Sequence, residues 1–203
     1  LGYMLDAMDF VLYLMAITTL QEVFDYDTTR SGQLATVALL ASAVGGLVFG
    51  VAADRLGRTW AMMATILIYS LGSLGTATAQ DFFQLLIWRS LLGFGMGGEW
   101  ACAAVLVSES WPASHRGKAI SIMQSGWAVG YVLAGVVAAL VLETFGLSWH
   151  WLFVIGSLPA LLVLWVRREV REPEMWKQQR REQPATAAGA AATAGDDGRE
   201  PTM

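Results

Sequence analysis

The sequence has few charged residues, a single cysteine and only two histidines. Asp, Glu, Lys and Arg make up 15% of its 203 residues and hydrophobic residues 55%, whereas soluble domains are about 25% charged. This composition excludes a water-soluble domain. Cys102 cannot form an intrachain disulfide alone, and the histidines and cysteine are too few for an ordinary zinc site. The net charge of −4 lacks the basic excess typical of nucleic-acid-binding proteins, so we expect no nucleic-acid partner.

Long apolar windows, separated by short polar or turn-rich stretches, occupy most of the chain. Each has about the length at which a helix rising 1.5 Å per residue crosses a hydrocarbon core about 30 Å thick. The first window lacks a basic leading region and contains Asp6 and Asp9, so it is not a cleaved signal peptide. We predict an all-α membrane protein with six transmembrane helices, at about residues 1–23, 34–53, 61–79, 83–107, 119–142 and 149–166.

The two ends of the chain depart from this pattern. Residue 1 is Leu rather than Met, so we expect the chain to be truncated at its N-terminus. Residues 1–176 are predicted to form the membrane domain. Residues 177–203 have a low-complexity, alanine-rich composition that predicts a disordered tail.

Positively charged residues are concentrated on one side of the predicted membrane. Of the 13 Lys and Arg residues, 11 follow the second, fourth or sixth predicted helix; Arg30 is alone on the other side, and Arg89 lies within the fourth helix. Lys and Arg are retained on the cytoplasmic side of membranes. We therefore predict a multi-pass protein of the inner or plasma membrane with both termini in the cytoplasm.

Charged residues inside the predicted helices occur only in the first and the fourth. A charge at the centre of a bilayer costs at least ~2.5–3.5 kcal/mol, which favours a functional role. Their three-helix spacing fits two inverted three-helix repeats, in which the charged helices are equivalent and face a central path. The alternative is that the acidic pair of the first helix merely reaches water at the cytoplasmic end. The four residues are Asp6, Asp9, Arg89 and Glu99.

The acidic residues are the candidates for carrying a proton. Asp6 and Asp9 are three residues apart and share a helix face. Two carboxylates this close in a low-dielectric cavity cannot both be ionised, so one is expected to hold a proton. Glu99 is predicted to take part in the same proton coupling. Arg89 lies ten residues, about 15 Å, from Glu99, so each needs a partner on another helix.

A substrate cavity is predicted around Arg89. Its guanidinium suits bidentate binding of a carboxylate, from either the protein or a substrate. The alternative for the fifth-helix members of this set is ordinary packing. The other predicted cavity residues are Tyr13, Gln124, Trp127 and Tyr131.

Several short motifs add to this pattern. Residues 50–58 read G-V-A-A-D-R-L-G-R, residues 89–95 fit R-x-x-x-G-x-G, and residues 109–117 fit E-x-x-P-x-x-x-R-G. Residues 171–176, R-E-P-E-M-W, are similar to a P-E-S-P-type helix end. Together these stretches resemble the signatures of the major facilitator superfamily. The G-G-E-W at 97–100 and the acidic pair of the first helix are most similar to its metabolite:proton symporters for sialic, aromatic or other organic acids.

The resemblance implies a twelve-helix fold in two six-helix halves with the substrate between them. This chain would be the N-terminal half, its tail the linker, and its partner a missing C-terminal half. No cofactor is expected besides the proton as coupling ion. The resemblance also implies a cytoplasmic gate, formed by Gly50, Asp54, Arg55, Gly57, Arg58, Glu109, Arg116 and Gly117.

The expected function is proton-coupled symport of a small organic anion by alternating access. A sugar is the alternative substrate class, and a non-transporting fragment or helical interaction module is the alternative function. An intramembrane enzyme is not expected, because His115 lies in a loop and His150 at a membrane boundary, where neither can serve an embedded nucleophile.

Overall fold

The computed structural model describes residues 2–169 and residue 176. Within these residues the chain is predominantly helical and contains no strand, which confirms the all-α prediction. Five segments are long and apolar enough to cross a membrane, the fifth combining α5 with a π-helical continuation. The elements are α1 (Gly2–Val23), α2 (Thr28–Leu56), α3 (Arg58–Ala77), α4 (Phe82–Ser110), α5 (Arg116–Ala138), the π-helical segment Ala139–Thr144, α6 (His150–Gly156) and α7 (Ala160–Glu169).

Two helices begin with polar turns that the apolar windows leave out. α2 starts before the predicted residue 34, because the Asp27 side chain caps it by accepting a hydrogen bond of 3.0 Å from the Arg30 N–H. Asp81 caps α4 in the same way, accepting one of 2.8 Å from the Gln84 N–H. A hydropathy window does not detect such turns, since a cap satisfies polar N–H groups without apolar side chains.

The sixth predicted helix, 149–166, is not continuous. α6 ends at Gly156 and α7 begins at Ala160, with Pro159 between them. Proline has no N–H to donate and its ring clashes with the carbonyl four residues earlier, so the helix cannot run through it. Residues 171–175 of the P-E-S-P-type motif and the predicted tail, 177–203, lie outside the described residues.

Gly57 makes the junction between α2 and α3 possible. Its φ of 119° lies in a region that is strained for residues with a Cβ. Its N–H donates to the Ala53 carbonyl at 3.2 Å, and α3 begins at the next residue. The two helices are therefore joined by one residue at their shared end.

The first three helices pack against the helices that follow them in the chain. α2 and α3 pack against α4, α1 packs against α5 and α6, and α3 also contacts α6 and α7. Small residues bring the backbones together: a Cβ on Gly45 would overlap the Phe94 backbone, and one on Gly97 the Ser42 backbone. This packing encloses the inner faces of α1, α3 and α4, where the charged residues lie.

Candidate functional site

The charged residues of α1 and α4 are enclosed by the helices of this chain. Asp6 and Glu99 have no exposed surface, Asp9 is 1% exposed and Arg89 is 3% exposed. The alternative that the two aspartates reach water at the helix end is therefore wrong. The expectation that all four face a central path stays a prediction; in this half all four are buried, and Arg89 also borders a cavity. Burial of this kind requires partners, since an unpaired buried charge is very costly.

Arg89 and Asp9 form the first of two buried groups. Arg89 Nη1 lies 3.7 Å from Asp9 Oδ2, and its Cζ lies 3.8 Å from the centre of the Tyr13 ring. The Ser73 hydroxyl donates a hydrogen bond to the other Asp9 oxygen. The Phe153 ring lies on a further side, 5.9 Å from the Arg89 Cζ. The guanidinium is thus balanced by one carboxylate and held against an aromatic face.

A cavity of about 120 Å³ adjoins Arg89, between α1, α2 and α4. Its lining is apolar apart from Tyr13, Ser42 and Arg89. Arg89 Nη1 has no hydrogen-bond partner among the described residues. The cavity therefore borders a buried guanidinium that still has a hydrogen bond to make, an arrangement suited to an anionic oxygen.

Asp6 and Glu99 form the second buried group, together with Tyr69 of α3. The Asp6 carboxyl interacts with the Glu99 carboxyl and with the Tyr69 hydroxyl. Glu99 reaches across to α1, where a Cβ on Gly2 would overlap its Oε1. None of the carboxyl oxygens, nor the Tyr69 hydroxyl, has a well-formed hydrogen bond to any described residue. Two acids therefore face each other, and neither has a Lys or Arg partner among the described residues.

The predicted aromatic cavity residues lie apart from these groups. Trp127 packs with Tyr3 at 5.4 Å between ring centres and with Trp100 at 6.1 Å. Gln124 is exposed and lies beside the Tyr3 hydroxyl, while Tyr131 is 55% exposed. Only Tyr13 of the predicted aromatic set contacts Arg89 directly.

Residues of the predicted gate meet where α2, α3 and α4 end or begin. Arg58 Nη2 lies 2.9 Å from Glu109 Oε1, and its Nε donates to Glu109 Oε2 at 3.1 Å. Its Nη1 lies 2.5 Å from Asp54 Oδ1. Arg55 is exposed, and Arg116 donates to the Trp111 carbonyl at 3.2 Å. Arg58 is therefore the centre of this cluster.

Two glycines of the same predicted gate, Gly50 and Gly117, have empty space beside them. A Cβ on either would meet no atom within 4 Å. Neither glycine is needed for packing among the described residues, so space is left beside both.

On the opposite side of the membrane domain, the loop before α2 contains two perturbed groups. The backbone N–H of Arg30 holds the pKa of Asp27 below its usual value. Burial raises the pKa of Tyr26, which packs against Phe82 with ring centres 5.2 Å apart. Both interactions fix the entry to α2, and Tyr26 is close enough to the first buried group to interact with Tyr13 and Arg89.

Comparison with known proteins identifies the family. Residues 1–195 match the Major Facilitator Superfamily. The chain belongs to this superfamily. It spans about half the length of the curated relatives it matches, as expected for the N-terminal half of the superfamily fold. The superfamily consists of membrane transporters rather than enzymes.

Curated relatives in the superfamily are metabolite transporters. A probable 4-methylmuconolactone transporter of Cupriavidus pinatubonensis is 38% identical to this chain, and the matched region covers 92% of this chain and 44% of that transporter. The sialic acid transporter NanX of Escherichia coli is 34% identical, and the matched region covers 92% of this chain and 45% of NanX. A solved structure of the proton:xylose symporter XylE superimposes with a TM-score of 0.78 at 22% identity, over 90% of this chain and 45% of that one. This last similarity shows the superfamily fold.

Two α3 residues in the buried groups were not among the predicted site residues. Tyr69 and Ser73 are four residues apart, so they share a helix face, and each contributes to one of the buried groups. Both side chains are almost fully buried. Their spacing was visible in the sequence, but a search limited to charged residues does not find it.

Proposed function

We propose that this chain is the N-terminal half of a proton-coupled symporter that carries a small organic anion by alternating access, with a second six-helix half as its partner. The observation that supports this most directly is Arg89, buried beside Asp9 and next to a cavity, with one donor unpartnered. The names of relatives agree with an anionic substrate, since sialic acid and cis,cis-muconate are carboxylates.

The pair suggests how substrate and proton binding are linked. While Asp9 is ionised, it balances the Arg89 guanidinium. When Asp9 takes up a proton, Arg89 lacks a counter-charge, and a substrate carboxylate in the adjoining cavity replaces it. Substrate therefore binds best with a proton, and both leave together when the site opens on the other side.

The test is Arg89→Lys in the complete transporter that contains this half. An ammonium keeps the charge but loses the planar fork, and one charge-assisted hydrogen bond is worth about 1.5 kcal/mol, so we expect the KM for the organic anion to rise about tenfold. Uptake of a radiolabelled carboxylate into vesicles measures it. Arg30→Lys is the matched control, because Arg30 is exposed and stacks on Phe82 outside the cavity. An unchanged KM in Arg89→Lys contradicts the proposed substrate site.

The same assay separates the two substrate classes. Excess unlabelled organic acid should compete with the labelled carboxylate, whereas competition by a neutral sugar alone favours the sugar alternative. A chain that supports no uptake with any partner half favours the non-transporting alternative.

We also propose that both ends of the membrane domain face the cytoplasm, from the distribution of Lys and Arg. The test uses single cysteines at the exposed residues Thr29 and Ser114 in a Cys102→Ser background. An impermeant maleimide added to intact cells should label Thr29→Cys and leave Ser114→Cys unlabelled until the cells are opened. Labelling of Ser114→Cys in intact cells reverses the proposed orientation.

A further inference from the structure

Tyr69, the α3 residue of the second buried group, has no role in the proposed function. Tyr69 is 1% exposed and lies with Asp6 and Glu99, which have no exposed surface. Five polar atoms of this group have no well-formed hydrogen bond to a described residue: the four carboxyl oxygens and the Tyr69 hydroxyl. Buried polar atoms are normally satisfied, so such a concentration indicates that something small binds between them.

The surroundings of the group indicate what binds. The other titratable groups that act on Asp6 are Asp9 and Tyr3. Asp9 is already paired with Arg89, the buried cation of the first group. Two ionised carboxylates facing each other in this apolar interior would repel strongly, whereas one proton between them turns the repulsion into a hydrogen bond.

α3 is held close enough to α4 for Tyr69 to reach this pair. A Cβ on Gly95 of α4 would lie 2.6 Å from the Tyr69 backbone nitrogen and 2.9 Å from the Thr65 carbonyl oxygen. The helices are thus in backbone contact one turn before Glu99, and Tyr69, which lies at this contact, is buried. Its hydroxyl interacts with the Asp6 carboxyl.

We propose that Asp6 and Glu99 share a single proton, and that Tyr69 is the positioning residue that donates its hydroxyl hydrogen bond to the ionised member of the pair. The group as a whole carries one negative charge, and Tyr69 stays protonated. The proton site is separate from the Asp9–Arg89 pair. Its use in coupling rests on the proposed function, but the shared proton itself does not.

The experiment is infrared spectroscopy of this chain in lipid vesicles, without substrate, over a range of pH. An N-terminal extension is included, because a free α-amino group at the start of the chain acts on Glu99. We expect a carbonyl stretching band of a protonated carboxyl group at neutral pH. Replacing both acids together, Asp6→Asn with Glu99→Gln, should remove the band, and each single replacement should change the pH at which it disappears, because the remaining buried acid has lost the partner that shares its proton. Asp9→Asn should keep it.

Tyr69→Phe tests the positioning role. The hydroxyl stabilises the more negative state, so its loss should raise the pH at which the band disappears by about one unit. Tyr26→Phe is the matched control, since it removes a buried hydroxyl that also has no partner among the described residues, outside the group. Circular dichroism verifies that each variant is folded, and the wild-type band is informative even if one is not.

Each result decides the proposal. Absence of the band in the wild type, its persistence when both acids are replaced, an unchanged titration in Asp6→Asn and Glu99→Gln, or its loss in Asp9→Asn overturns the shared proton. A Tyr69→Phe titration identical to that of Tyr26→Phe overturns the role of Tyr69. A normal band together with failed uptake in the complete transporter would refute the proposed function and leave the shared proton standing.

Discussion

Asp9→Asn is expected to abolish uphill uptake driven by a pH gradient in the complete transporter, while exchange of substrate across the membrane continues. Asparagine keeps the shape of the side chain and its contact with Ser73, but it cannot take up and release a proton. It also leaves Arg89 permanently without its ion-pair partner, so the substrate carboxylate becomes the only counter-charge for the guanidinium. Accumulation should fall at least a hundredfold towards the equilibrium level.

Two assays on the same vesicles distinguish loss of coupling from loss of folding. Accumulation under an imposed pH gradient should disappear, whereas counterflow of labelled against unlabelled substrate should persist. Asp27→Asn is the matched control, because Asp27 caps α2 in the loop, away from the site, and asparagine caps nearly as well. Accumulation at the wild-type level in Asp9→Asn would show that Asp9 is a structural partner of Arg89 and carries no coupling proton.

The sequence was sufficient to show that Arg89 and Glu99 each need a partner on another helix. Their separation along one helix follows from the rise per residue, whatever the tertiary structure. The first helix is the other one predicted to carry charges inside the membrane, and the structure does place Asp9 beside Arg89 and Asp6 beside Glu99. Which acid pairs with which partner depends on how α1 is rotated about its axis and shifted along it relative to α4. Helix packing sets both, and residue spacing within one helix does not predict them.

The same limit applies to the spacing of Asp6 and Asp9, which predicts that their mutual repulsion makes one of them hold a proton. Residues three apart do lie on one helix face. In the structure, however, that face is divided between two neighbours: Asp6 meets an acid, and Asp9 meets a base and a serine. The nearest residue across a helix contact decides the electrostatics, and it lies far away in the sequence.

The gate cluster was predictable by residue type, but the relative strength of its two ion pairs was not. The motif singles out Asp54, yet its side chain is 65% exposed, while those of Arg58 and Glu109 are 8% and 11% exposed. Exposed pairs contribute little because water and salt screen them. The strong contact joins residues 51 positions apart, so it becomes visible only once α3 and α4 are packed together.

Glu109→Gln should therefore act mainly on stability, and Asp54→Asn mainly on gating. Glu109→Gln removes one partner of a buried, bidentate pair within this half, which costs about 3 kcal/mol, and we expect a clearly lower thermal midpoint in detergent. Asp54→Asn removes an exposed pair and should cost less than about 1 kcal/mol. Asp54 is consequently free to stabilise the outward-facing state through the other half, whose approach the open position at Gly50 would allow.

In the complete transporter, Asp54→Asn should then enrich the inward-facing state about tenfold, a shift of ~1.4 kcal/mol in the ratio of the two states. Accessibility of single cysteines at the two cavity mouths measures that ratio. The same substitution in this six-helix chain alone should change neither accessibility nor thermal midpoint, because the partner half is absent. If Asp54→Asn lowers the midpoint as much as Glu109→Gln does, Asp54 acts within this half. An unchanged ratio in the complete transporter rules out the latch between halves, since an exposed carboxylate that contacts only Arg58 has no means of distinguishing the two states.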